Sequence, residues 1–521
     1  MTLEAEEQGP PRSPWVLWTG RLLGPSFLLA TLVIPAPGGM EPDAWRTAGL
    51  ALLMATWWIT EVIPIPVTAL LPLPLLPLLQ VSPVEAAAAP FANPVIFLFM
   101  GGFMIAQAMQ RWDLHKRIAF GIIALTGTSP LRLVGGFMLA AAFLSMWVSN
   151  TAVAVMMLPI GVSVIMVFRN GAEEEAQDAP EPSRDPDGGE AAEIPAEGPL
   201  PRSVSAPEVA FAVALLLGIA YGSSIGGVAT LIGTPPNALL AGYLADEFDI
   251  RIGFAQWMLV GLPMTMVMLP VTWFLLTRVI FPVDPRGPSL PPGALQGLRD
   301  QLGSPGSAER RVAWVFVGTA AAWMLRPLLE RWIPGLTDAG IAMGATLVLF
   351  LLPAGGGRRG AVLDWEWARR IPWDVLLLFG GGLSLAAAIS SSGLAGWIGD
   401  QLQGTDQLPL IALILVVAAL IVFLTELTSN TASMAAFLPI LAALAVTLGR
   451  DPLFLTVPAA LAASCAFMLP VATPPNAIVF GSGYLRMGHM VRAGILLNLL
   501  VIALIPLLSL MAVRFVFGVT W

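Results

Sequence analysis

The sequence predicts an all-α polytopic membrane protein: eleven transmembrane helices in two inverted repeats, with two re-entrant hairpins and two broken helices. Three observations carry this. The 521-residue chain is 56% hydrophobic and 12% charged. Apolar runs of 18 or more residues recur along it, enough to cross a hydrocarbon core of about 30 Å. A stretch from Phe143 to Ala152, containing Ser149-Asn150-Thr151 and followed by Leu158-Pro159-Ile160, returns 280 residues later from Phe423 to Ala432, with Ser429-Asn430-Thr431 and Leu438-Pro439-Ile440. Thr234-Pro235-Pro236-Asn237 likewise returns as Thr473-Pro474-Pro475-Asn476.

In chain order, residues 1–43 hold a tail and a first span at 15–35. The first repeat covers 44–281. Spans are expected at 44–60, 63–80 and 95–111, then a charged-start helix at 112–128 lying at the interface. The first Ser-Asn-Thr sits mid-way along the apolar run 131–168. That run is too long for one crossing, and its polar break makes it a hairpin that dips in and returns. Residues 169–206 are rich in Pro, Gly and acids, with ten acids between Glu173 and Glu197; a solvated, disordered loop is expected there. A span from 207 breaks at Gly233-Thr234-Pro235-Pro236, because neither proline supplies an N–H, and continues to 245. A span at 257–281 closes the repeat.

A Pro- and Gly-rich linker, 282–311, precedes the second repeat, 312–521. Spans at 312–332, 336–353 and 373–392 lead to a second hairpin at 409–448. A broken span covers 454–485, and a last span 490–515. No strands are evident. Leu98-Phe99-Met100-Gly101-Gly102 reappears as Leu378-Phe379-Gly380-Gly381-Gly382, and these glycines are expected to serve close helix packing. Each repeat makes five crossings, an odd number, so the second sits inverted in the bilayer. With the N-terminus inside, inner segments hold 20 of the 26 Lys and Arg, and outer segments six, Arg46, Arg251, Arg326, Arg331, Arg450 and Arg514. That bias places the N-terminus in the cytoplasm and the C-terminus outside. The first hairpin then opens from the cytoplasm and the second from outside.

Composition removes several function classes. One cysteine, Cys465, permits no internal disulfide, and with His115 and His489 it makes no zinc set. The first 14 residues hold Glu4, Glu6 and Glu7 and no apolar core, so no secretory signal is expected. No nucleophile–base set or phosphate loop is evident, so the chain is not expected to be an enzyme. What the repeated motifs do offer is helix ends. Carbonyls at a helix C-terminus, with Ser, Thr and Asn oxygens, make hard neutral ligands for an alkali cation. Helix N-termini suit an anion. No Lys or Arg is expected near the midplane of either hairpin or broken span. A dianion there would be uncompensated unless sodium ions lay beside it. Glu61 and Glu426 are the acids deepest in apolar runs; each is open to a proton relay or to a structural role.

These residues resemble the divalent anion/sodium symporter family. The likeness runs from Trp57-Trp58-Ile59-Thr60-Glu61 to the last span, and includes the run Ser464 to Val479 around Thr473-Pro474-Pro475-Asn476. The resemblance implies a homodimer working as an elevator; the plasma (inner) membrane is the expected location, and the bias to Arg over Lys, with Lys116 the only lysine, points to a bacterium. It implies one sodium site at Ser145, Ser149, Asn150 and Gly233, and a second at Thr425, Thr428, Asn430 and Ala472. It places the substrate against Asn150, Thr151, Thr234, Pro235, Asn430, Thr431, Thr473 and Pro474. The function expected is sodium-coupled symport of a di- or tricarboxylate such as succinate, malate, fumarate or citrate. Sulfate symport and dicarboxylate exchange are the alternatives within the class. A cation/proton antiporter is the alternative outside it; it would want a membrane-embedded Asp, and every Asp here falls in a loop or at a span end.

Overall fold

The computed structural model describes residues 14–177, 206–285, 300, 302–401 and 408–519. It is built of helices. Helix α1 (Pro14–Val33) lies along α2 (Pro42–Thr60), and Trp57 Nε1 of α2 donates to Gly20 O at 3.1 Å. A Cβ on Gly24 would fall 2.6 Å from that indole nitrogen, so the close approach needs glycine. Helix α2 stops at Glu61, whose left-handed backbone (φ 49°) turns its N–H back onto Trp57 O.

The single span expected at 63–80 is instead two short helices, α3 (Ile65–Thr68) and α4 (Pro72–Leu78). Pro64, Pro66, Pro72, Pro74 and Pro77 explain the difference, since each removes an N–H from the ladder. Helix α5 (Val84–Ala88) and a 3₁₀ turn (Ala89–Ala92) lead into α6 (Pro94–Arg111). The charged-start helix is α7 (Leu114–Thr126). The first hairpin is α8 (Pro130–Ser145) and α9, which starts at Asn150. Helix α9 runs on to Gln177, so the first nine positions of the expected acidic loop are helical. Residues 178–205, the rest of that loop, lie outside the described residues.

Helix α10 (Ala206–Gly227) ends well before the expected break at Gly233, and α11 (Pro235–Phe248) resumes after it. At its end the helix is tightly packed: a Cβ on Gly226 would lie 2.2 Å from Ala142 O. Helix α12 (Phe254–Phe274) ends in a π turn (Leu275–Ile280). Much of the linker, 286–299 and 301, lies outside the described residues.

The second repeat opens with α13 (Ser307–Leu329) and α14 (Asp338–Leu351). A small antiparallel pair follows, β1 (Pro353–Gly355) with β2 (Arg358–Ala361), which corrects the expectation of no strands. Gly355, Gly356, Gly357 and Gly360 all have positive φ, and such a glycine run makes a tight reversal available without steric cost. Then come α15 (Trp365–Ala368), α16 (Trp373–Ser391) and α17 (Leu394–Gln401). The second hairpin is α18 (Leu410–Thr425) and α19 (Asn430–Thr447); the second broken span is α20 (Leu453–Ala463), a 3₁₀ turn (Pro470–Ala472) and α21 (Pro474–Gly481). Helix α22 (Met487–Phe515) closes the described chain.

The 280-residue offset holds at the level of helix ends. Leu114 and Leu394 start α7 and α17; Ser145 and Thr425 end α8 and α18; Asn150 and Asn430 start α9 and α19. The equivalent residues Phe99 and Phe379 meet edge to face, with ring centroids 5.0 Å apart. Contact between a residue and its own counterpart is what a two-fold relation between repeats requires. The repeats are also joined by charge. Arg117 of α7 pairs with Glu309 of α13, which is 7% exposed, and Arg111 pairs with Asp364 at 2.6 Å.

Among the described residues, nine helical stretches are long and apolar enough to cross a membrane, and five further apolar helices are shorter. Two of the nine, Asn150–Phe168 and Asn430–Thr447, are the returning legs of the hairpins.

Candidate functional site

At each hairpin tip a four-residue turn separates two helices, so a carbonyl end and an N–H end lie side by side. Ser145 Oγ donates to Asn150 Oδ1 across the first turn. Ser149 caps α9, its Oγ accepting from Ala152 N at 3.4 Å. The broken span comes up against this tip. A Cβ on Gly227 would fall 2.7 Å from Asn150 Oδ1 and 3.0 Å from Gly233 O. One on Gly233 would lie 2.3 Å from Gly227 O. Ser145, Asn150 and Gly233 are therefore brought together, with Gly227 as a further neighbour. All present oxygen, and all are neutral, which is the donor chemistry a hard monovalent cation takes.

The second tip repeats the plan with different details. Thr425 Oγ1 donates to Val422 O at 3.0 Å. Thr428 Oγ1 is shared between Leu424 O at 2.9 Å and Ser433 Oγ at 2.5 Å. Asn430 Oδ1 is buried with no hydrogen-bond partner. An orphaned carbonyl oxygen in a non-exposed tip fits a cation ligand. Ala472 ends the 3₁₀ turn, 4% exposed.

Thr234 and Thr473 adopt nearly the same extended backbone, φ −145°, ψ 141° and φ −142°, ψ 148°. The following proline enforces this, and then begins a helix from its first position. Both threonines are buried, at 3% and 4% exposed; Thr431 is also buried and Thr151 exposed. Pro235 is half-buried and Pro474 exposed. Helices α9, α11, α19 and α21 thus begin at the four motifs, each offering N–H groups. Helix α9 packs on α21 and α11 on α19. Each hairpin's returning leg therefore carries the other repeat's broken span. Tyr221 OH of α10 donates to Phe467 O at 2.8 Å, tying the first broken span to the second.

Glu426 has a defined role here. It is 1% exposed. Its Oε1 accepts from Phe467 N, Met468 N and Asn498 Nδ2 at 2.8, 2.8 and 2.7 Å, and its Oε2 from Leu469 N at 2.9 Å. Three of these donors are backbone N–H groups of the loop between α20 and the 3₁₀ turn, and the fourth is the Asn498 side chain of α22. This is the structural alternative of the two left open by the sequence. Glu61 instead ends α2. The sequence reading missed Gly227, Thr230, Tyr221 and Asn498. It also passed over Asn237 and Asn476, though both sit inside the repeated motif. An open apolar cavity of about 560 Å³ lies elsewhere, among α7, α8 and α13; none of the predicted site residues lines it.

Comparison with known proteins gives the family. The model of the sodium:sulfate symporter transmembrane region matches residues 16–518. The chain belongs to that family, the divalent anion/sodium symporters. It is thus a multi-span transporter and not an enzyme. It is 42% identical over 506 residues to the sodium-dependent dicarboxylate transporter SdcS of Staphylococcus saprophyticus, covering 96% of this chain and 92% of that protein. It is 41% identical over 508 residues to SdcS of Staphylococcus aureus, with the same coverage. Among solved structures, MtrF of Neisseria gonorrhoeae aligns with a TM-score of 0.53 at 12% identity, over 99% of this chain and 96% of that one. The YdaH transporter of Alcanivorax borkumensis aligns with a TM-score of 0.50 at 14% identity, over 91% and 98%. At such identities these two speak to the fold alone.

Proposed function

We propose that this family member is a sodium-coupled symporter of dicarboxylates such as succinate, malate or fumarate, or of citrate. The observation that supports it most is the meeting of neutral oxygens and helix N-termini at four motifs with no cationic side chain among them. No Lys or Arg occurs between 133 and 168, 206 and 249, 408 and 449, or 452 and 485. The SdcS relatives, sodium-dependent dicarboxylate transporters by name, support the same reading. In it, Ser145, Ser149, Asn150 and Gly233 hold one sodium, and Thr425, Thr428, Asn430 and Ala472 another. Asn150, Thr151, Thr234, Pro235, Asn430, Thr431, Thr473 and Pro474 face the carboxylates. The chain works as an elevator in a homodimer, with eleven crossings in the plasma membrane, N-terminus inside and C-terminus outside. Sulfate is the second substrate reading, favoured by the family description.

The test is uptake of labelled succinate, citrate and sulfate into proteoliposomes, with sodium and with choline in its place. Sodium-driven succinate uptake is expected. Undiminished net uptake in choline would reject sodium coupling, and sulfate-only uptake would move the substrate to the second reading.

A further inference from the structure

We propose that Asn237 and Asn476 are positioning residues: each braces the carbonyl loop of its broken span against the neighbouring hairpin tip, and so sets the affinity of one sodium site. This rests on the sodium-coupled reading above and goes beyond it, since neither residue belongs to the sodium or substrate sets.

The two carboxamides share two bonds across the repeats, and Asn237 makes a third. Asn237 Nδ2 donates to Gly227 O at 3.4 Å, Val228 O at 3.3 Å and Thr230 O at 2.8 Å. Asn476 Nδ2 donates to Ala466 O at 3.4 Å and Leu469 O at 3.0 Å. The shared acceptors lie ten and seven residues before each asparagine. Both side chains are fully buried, at 0% exposed, and in both Oδ1 has no partner. Each asparagine side chain is therefore held by its amide end alone, and it supplies donors to backbone carbonyls in the break of its span.

The second leg of the brace runs from the loop to the tip. Thr230 Oγ1 donates to Met146 O at 2.5 Å. Leu469 N donates to Glu426 Oε2 at 2.9 Å. Thr230 and Leu469 are equivalent positions, each seven residues before its asparagine; Met146 and Glu426 are equivalent too, 280 residues apart. One repeat closes the link with a hydroxyl on a backbone carbonyl, the other with an amide on a carboxylate. Different chemistry at matching positions produces the same connection, from asparagine to loop to tip. The connection ends beside the proposed ion ligands: Gly227 borders Asn150 and Gly233 in the first repeat, and Leu469 opens the 3₁₀ turn that carries Ala472 in the second. Carbonyls fixed before the ion arrives bind it without first having to be ordered.

The experiment uses purified full-length protein: wild type, Asn237→Ala, Asn476→Ala and the double variant. Binding of radioactive sodium is measured without substrate, alongside thermal melting in sodium-free buffer and sodium-driven uptake in proteoliposomes. Each single variant is expected to raise half-saturating sodium about tenfold for one of two classes of site, leaving the other class unchanged, and the double variant to raise both. Thr230→Val cuts the other leg of the first brace and keeps the volume; it is expected to weaken the same class as Asn237→Ala, and it stands in if that variant does not fold. Folded variants with the wild-type sodium curve would overturn the proposal, even if they melt earlier, because lost stability alone would mark a merely structural role. If wild type itself neither binds sodium nor shows sodium-driven uptake, the functional reading fails first and this inference falls with it.

Discussion

Replacing Glu426 tests the second tip most severely. Glu426→Ala removes a carboxylate that is 1% exposed and leaves Phe467 N, Met468 N, Leu469 N and Asn498 Nδ2 without their acceptor. A buried donor left unpaired costs about 1–3 kcal/mol. Four such donors bound the loss at roughly 4–12 kcal/mol, and water entering the vacated volume should bring it to the lower end. Glu426→Gln keeps the shape and one acceptor oxygen, but its NH₂ faces an N–H. It should lose at least one charge-assisted bond, about 1.5–3 kcal/mol. The ordering is therefore wild type above Gln above Ala, read as thermal midpoints of purified protein. The loop in question leads to Ala472 and Thr473, so half-saturating sodium in uptake should rise in the same order. Glu426→Gln should not change the coupling ion, because both carboxylate oxygens are already committed to four N–H donors. An Ala variant with the wild-type midpoint and sodium dependence would refute the reasoning. So would a Gln variant in which uptake driven by a pH gradient is selectively lost.

Asn150→Ala and Asn430→Ala should each reduce sodium-driven uptake below about 1% of wild type while leaving a protein that elutes and melts as folded; full activity in both would mean the sites lie elsewhere. Gly227→Ala places a methyl group 2.7 Å from Asn150 Oδ1, so it should abolish uptake with little loss of expression, checked by comparing uptake per unit of purified protein. Arg117→Ala strands Glu309, which is 7% exposed. Breaking a buried pair by removing one partner costs about 3–5 kcal/mol, so a large fall in thermal midpoint is expected. Arg117→Ala combined with Glu309→Gln should recover most of it.

Much of this architecture is legible because membrane folding leaves few ways to satisfy a backbone. Long apolar runs must be helices, and a polar Ser-Asn-Thr or a double proline in mid-run must be a break. The breaks at Ser149-Asn150-Thr151 and Ser429-Asn430-Thr431 follow from that alone. Where the reading failed, the deciding feature was sometimes distant in sequence and sometimes local. The first half of the first broken span ends at Gly227, beside the contact of Gly226 with Ala142 O, which has no local signature. The span at 63–80 divides because five prolines outweigh an apolar composition that is otherwise ample. Glu426 could be placed in a membrane but not assigned a role until Phe467, Met468, Leu469 and Asn498 were seen around it. Asn237 and Asn476 stood in the motif all along; their amide groups have meaning only against carbonyls seven and ten residues back.

The lack of a cationic side chain also bears on how strongly sodium should control anion binding. A helix N-terminus stabilises a negative charge by about 0.3–1 kcal/mol, up to about 2 in a partly buried geometry. Four termini, at α9, α11, α19 and α21, would together give at most about 8 kcal/mol if all faced the anion. Bringing a carboxylate out of water costs several kcal/mol per charge even after relaxation, and a dicarboxylate carries two. The termini alone thus come close to cancelling that cost and leave little net affinity. One sodium about 4 Å from a carboxylate adds roughly 4 kcal/mol at an effective dielectric of about 20, a factor near a thousand. Titration of succinate into purified protein, at constant ionic strength in sodium or in choline, should therefore show binding in sodium and none measurable in choline. A dissociation constant that moves less than tenfold between the two would mean the helix ends hold the anion by themselves. Coupling would then have to arise in the moving step, not in the site.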